Sequence, residues 1–135
     1  MELALTSKQF RRLLDLAYVG NWILNSARGE DRIRDYDEVE SLLFAKCKTL
    51  GWTQLFDKVG EELIPSRAFA EGGIHEAIMD YEDTVFFEIL AEELARRDMV
   101  DEDADPDDME DLTRRMSDYI AEFERNGCDN ISVNP

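Results

Sequence analysis

Apolar residues recur at steps of three and four along most of this chain, and that period commits it to helices before any other feature is weighed. Phe10, Leu13, Leu14, Ala17, Gly20, Ile23, Leu24 and Ala27 form the first stripe, and Gly29 stops it. Thr6 and Gln9 stand at capping-box spacing, flanked by Leu5 and Phe10 as a hydrophobic staple. Tyr18 and Trp22, four apart, fall off the stripe and must meet a second element, a partner or solvent. A second helix is predicted from an Asp35 N-cap, with Glu38 at its third position. Its inward side is Tyr36, Val39, Leu42, Leu43 and Leu50, and Gly51 ends it. Trp52–Val59 reads as a short third helix presenting Trp52, Leu55, Phe56 and Val59. Gly60–Gly73 is irregular, punctuated by Pro65 and the Gly72-Gly73 pair.

Ile74–Arg97 is the longest helical stretch and is expected at the centre of the domain. Its apolar line moves from Ile74, Ile78, Tyr81 and Val85 to Phe86, Leu90 and Leu94. With no Pro or Gly to kink it, different neighbours should bury its two ends. Asp105-Pro106 then resembles an N-cap followed by proline at the first helical position. The final helix carries Met109, Leu112, Met116, Tyr119, Ile120 and Phe123 on one side and stops at Asn126-Gly127. No run of strand period is long enough to argue a sheet. The expected fold is all-α: an irregular bundle of about five helices forming a single domain over residues 1–127, with an acidic loop at 98–108 and a C-terminal tail at 128–135. Ile131 and Val133 are candidates to dock that tail.

Charge is divided unevenly along this frame. Residues 1–70 carry 10 Lys and Arg against 11 Asp and Glu, whereas residues 71–135 carry 5 against 21. An anionic field of this size disfavours direct nucleic-acid binding. Lys8, Arg11, Arg12, Arg28, Arg32 and Arg34 cluster near the N-terminus, but adjacent acids balance them, so they are expected in ion pairs. No apolar run approaches the roughly 20 residues that cross a bilayer. Met1–Leu5 is short and carries Glu2, so no leader is expected either. Cys47 and Cys128 lie far apart, which points to reduced thiols in the cytoplasm, with a single bridge between them as the alternative.

The catalytic menu is narrow because His75 is the one histidine. Paired Glu-x-x-His di-metal sites and multi-His or Cys zinc sites are thereby excluded. No nucleophile elbow or phosphate-cradling glycine loop is present. Glu76, Asp80 and Asp83 share one stripe beside His75, and Glu88 and Glu92 repeat the spacing. Such carboxylates can hold Mg²⁺ or Mn²⁺, so a metal-binding protein or metal-dependent enzyme using His75, Glu76, Asp80 and Asp83 is the alternative function. The ordinary explanation is a solvated helix face. Asp101, Asp103 and Asp105 alternate like EF-hand ligands, but Pro106 and Leu112 stand where that loop needs Gly and Glu.

The leading expectation is a non-catalytic interaction or regulatory protein that docks a basic partner surface through Asp101, Glu102, Asp103, Asp107 and Asp108. Tyr18, Trp22, Phe44 and Phe87 lie off their helices' main stripes. If exposed together, they would mark a homodimer interface.

Overall fold

A computed structural model describes residues 1–134, which are mostly helical. The chain divides into two compact units, the first Met1–Ile78 and the second from Met79 onward. Among the described residues no helix is long and apolar enough to cross a membrane.

In the first unit, α1 spans Ser7–Asn25 and α2 spans Arg34–Thr49. The Thr6 and Gln9 capping box forms in both directions, so the predicted start of α1 is realised. The start of α2 is not as predicted. Ile33 takes the N-cap position without a side-chain cap, two residues before the predicted Asp35. A remote residue anchors it: the buried Asn25 amide donates to the Ile33 carbonyl at 3.1 Å, and its oxygen accepts from the Ile33 N–H at 2.8 Å.

The predicted third helix is corrected to a β-hairpin. After a 3-10 turn at Thr53–Leu55, β1 (Phe56–Val59) pairs antiparallel with β2 (Glu62–Pro65), placing Phe56 opposite Pro65 and Val59 opposite Glu62. Gly60, at φ 61°, opens the two-residue loop, a conformation that glycine adopts without strain. Trp52, Leu55, Phe56 and Val59 have helical spacing, but this turn draws the segment into a strand pair instead. Leu63 points into the core while Glu62 and Ile64 face outward, the alternation of a half-buried strand. A single helical turn, α3 (Arg67–Phe69), is capped by Ser66, and a wide turn over Ala70–Ile74 follows, broken at Gly73 with φ 121°.

Helix α4 (His75–Asp101) begins in the first unit and continues into the second, and α5 (Met109–Asn126) completes the fold. Its two ends are indeed buried by different neighbours. Ile78 joins the first core, with Leu14, Tyr18, Phe44, Cys47, Leu63 and Phe69, whereas Ala95 and Met99 pack with Leu112 in the second. The helix therefore contributes side chains to both clusters. The helix also runs past Arg97, so the acidic loop is shorter than 98–108. It stops in a Schellman arrangement: Ala104 N–H reaches the Met99 carbonyl at 2.8 Å, Asp103 N–H reaches Val100 at 3.1 Å, and Asp103 itself is left-handed at φ 53°. Asp108, not Asp105, caps α5, accepting from the Asp111 N–H at 3.0 Å. Asn126-Gly127 ends it as expected, with Gly127 at φ 56°. In the tail Ile131 and Val133 are both exposed.

Candidate functional site

The acidic turn takes its shape from the two helices it joins. Glu102 pairs with Arg115, whose guanidinium also reaches Asp111 at 3.0 Å, and Arg114 bonds Asp111 as well. The Arg115 bonds hold the Glu102 and Asp111 carboxyls below the ordinary range. A hydroxyl bond from Tyr119, followed by the Arg97 bond at 2.7 Å, lowers Asp98 in the same way. Asp105 accepts from the Asp107 N–H at 3.0 Å and so tightens the turn. Of the five predicted docking residues, then, Glu102 is neutralised by Arg115 and Asp108 is occupied as a cap. Asp101, Asp103 and Asp107 are exposed, and none of them enters a salt bridge among the described residues.

The residues of the metal alternative are placed differently. His75 opens α4, and its Nδ1 lies 2.9 Å from the Tyr18 hydroxyl. Its ring also meets Trp22 edge-on, with centroids 4.6 Å apart. Glu76, Asp80 and Asp83 are exposed along the helix. Among the described residues no group of three or more His, Cys, Asp or Glu side chains converges as a metal site would.

The aromatics singled out by sequence do not share a surface. Tyr18 and Phe44 are inside the first core, each edge-to-face with Phe69, at 5.6 and 5.1 Å. Trp22 is half-buried beside Tyr18, and Phe87 packs on Phe123 at 5.3 Å in the second unit. Joint exposure, the condition that would have made them an interface, is therefore absent for Tyr18 and Phe44. Four of the six N-terminal cations form the expected intrachain pairs: Arg11 and Arg12 hold Asp15, Arg28 holds Asp31, and Arg32 holds Asp37, whereas Lys8 and Arg34 enter no salt bridge among the described residues. Both cysteines are free thiols, Cys47 buried and Cys128 exposed.

A feature that the sequence did not disclose lies between α1, α2 and the hairpin. This cleft of about 420 Å³ has Tyr18, Trp22, Ile64 and Pro65 as apolar lining and Asn21, Asp37, Glu40 and three arginines as polar lining. Buried polar side chains build its wall. Asn25 donates to Asn21 at 2.6 Å, Asn21 donates to Asp37 at 3.0 Å, and Arg32 grips both oxygens of Asp37 at 2.7 Å. The two-point Arg32 bond is the chief cause that keeps Asp37 ionised well below the usual carboxylate range.

Glu40 is different. It sits one helical turn beyond Asp37 and shares the inward face of α2 with Phe44 and Cys47. Only 8 % of it is exposed, yet its carboxyl enters no salt bridge among the described residues, the Asn21 amide being its hydrogen-bond partner. Burial raises it to about 7; the Asn21 hydrogen bond and the Arg32 charge only partly oppose this, and the Asp37 charge adds to it. The neighbouring Tyr18 phenol is also raised, first by burial and then by the Glu40 charge. Sequence reasoning missed Glu40 because a charged residue between Val39 and Leu42 reads as the solvent side of an amphipathic helix. The sole available signal was its spacing to Phe44 and Cys47.

No protein-family model matches the chain, and comparison with curated proteins and with solved structures finds none similar to it.

Proposed function

We propose that this chain is a non-catalytic interaction or regulatory protein whose acidic turn between α4 and α5 docks a basic surface on a protein partner. The observation that carries this reading is the presentation of Asp101, Asp103 and Asp107: three exposed carboxylates without a salt bridge, on a short turn whose backbone is tied at both ends. A turn already ordered loses little conformational freedom on binding. The surrounding chain reinforces the field, since residues 71–135 hold 21 acids against 5 bases. Long-range attraction of this kind accelerates encounter with a cationic surface and selects against anionic ones. Glu102 contributes to the shape of the turn through Arg115, and Asp108 through its cap, so the contact itself rests on the other three.

The test is a combined Asp101→Asn, Asp103→Asn and Asp107→Asn variant, which preserves side-chain size and leaves the cap and the Arg115 pairs intact. A partner captured by the wild-type chain at about 0.05 M salt should be released at about 0.5 M, where the Debye length shrinks to a few Å. The triple variant should capture it weakly even at low salt. A partner held equally by both proteins, or equally at both salt concentrations, rules out electrostatic docking by this turn.

A further inference from the structure

We propose that the cleft between α1, α2 and the hairpin binds a small organic cation, an ammonium, amidinium or guanidinium head that pairs with Glu40 beside the Tyr18 and Trp22 rings. This site belongs to the first unit and is independent of the acidic turn. Its volume of about 420 Å³ falls within the range of small-molecule clefts, roughly 300–1,000 Å³.

Four observations converge on a cation. First, Glu40 is more than nine-tenths buried and lines the cleft, and although the Asn21 amide bonds its carboxyl, it enters no salt bridge among the described residues. A buried carboxylate without a counter-charge is costly, and a cation arriving from outside removes that cost. Second, the nearest guanidinium cannot serve, because Arg32 is engaged by Asp37 through two bonds of 2.7 Å. Third, an anion at this depth would meet both Glu40 and Asp37, whereas the aromatic rings of Trp22 and Tyr18 attract positive charge. Fourth, of the two arginines at the exposed mouth Arg67 is held by Glu71 at 2.7 Å, whereas Arg34 enters no salt bridge among the described residues. The Arg34 guanidinium disfavours a second positive charge beside it, which sets a polyamine apart from a monocation or a zwitterion.

Protons and the ligand compete for one carboxyl, and binding must therefore depend on pH. The charged and titratable groups around Glu40 are Asp37 and Arg34 on α2, Arg32 before it, Tyr18 on α1, and Glu62 and Arg67 at the hairpin and α3. His75 lies behind Tyr18. Burial raises Glu40 to about 7, whereas the Arg32 bonds hold Asp37 low.

The experiment titrates the full chain with benzamidine, which stays protonated throughout, and follows heat or tryptophan fluorescence. Saturable binding is expected at pH 8, about tenfold weaker at pH 6. Glu40→Gln, nearly the same size and shape, should keep the helical circular dichroism and lose at least tenfold in affinity along with the pH dependence. Trp22→Leu should weaken binding roughly two- to fivefold. Benzoate should not compete. Absence of saturable binding by the wild-type chain overturns the proposal, and so does binding by Glu40→Gln or Trp22→Leu at wild-type strength. A pH dependence that survives in Glu40→Gln belongs to another group and likewise overturns it, as does competition by benzoate.

Discussion

Helices α2 and α5 obey opposite rules. In α5 the stripe of large apolar residues turns inward after its exposed first member, Met109: Leu112 and Phe123 are buried, and Met116, Tyr119 and Ile120 are half-buried. In α2 the stripe turns outward: Tyr36, Val39, Leu42 and Leu50 are exposed, while Glu40, Phe44 and Cys47 are buried. Only Leu43 of the predicted inward side is partly covered. The difference lies in what each helix meets. In α5 the polar network runs along the same side as the stripe, since Tyr119 belongs to both and bonds Asp98. The rotation of α2 is instead settled by the Phe44 contact with Phe69 and by the Asn21, Asn25, Asp37 and Arg32 network that ties its first turns to α1. An apolar stripe thus reports the buried face only where no satisfied polar network offers another.

This contrast can be broken most directly in the core of the first unit. Phe44→Ala should cost about 3–5 kcal/mol in urea unfolding, since it empties a fully buried ring site. Leu42→Ala, at 70 % exposure, should stay within about 0.5 kcal/mol. A larger loss at Leu42 than at Phe44 would reverse the assignment of faces.

Glu40 provides a second measurement, smaller and dependent on pH. Its folded-state value of about 7 lies above the ordinary 4.5, so the native state binds the proton more tightly than the unfolded chain does. Its contribution is most favourable below pH 4.5, declines as pH rises to 7, and is flat above that. Glu40→Gln removes this penalty. At pH 8 the variant should be more stable by about 2–3 kcal/mol, and the gain should vanish near pH 4. Chemical denaturation at the two pH values reads it, and equal stabilisation at both would show that Glu40 is not held against its charge.

The smallest effect sharpens the other side of the comparison. Asp103 occupies a left-handed position that glycine prefers, so Asp103→Gly should stabilise the second unit by about 0.5 kcal/mol while removing one charge from the acidic turn. Destabilisation in a thermal melt would mean that the Asp103 side chain has a structural role of its own.

Much of the framework was legible. The Thr6 and Gln9 capping box, the α5 stripe, the Gly127 stop and the arginine pairs near the N-terminus all follow from local spacing, and each forms within a few residues of chain. The hairpin was not legible, because Trp52, Leu55, Phe56 and Val59 satisfy a helical period while Gly60 and the pairing of Phe56 with Pro65 decide for a strand. The cleft was still further from view. Tyr18 meets His75 across 57 positions of sequence, and the Leu63 N–H donates to the Ser41 hydroxyl across 22.

By itself, then, the sequence determined what is local or additive: the helical period, the caps and stops, and an anionic second half, since charge is a sum over residues and caps span a single turn. Tertiary structure alone decided which face of α2 turns inward, and with it that Glu40 stands dehydrated at the base of a cleft. A helix can rotate without changing its sequence, and the choice belongs to the partners it meets, which in this chain are the polar wall of α1 and the ring of Phe69.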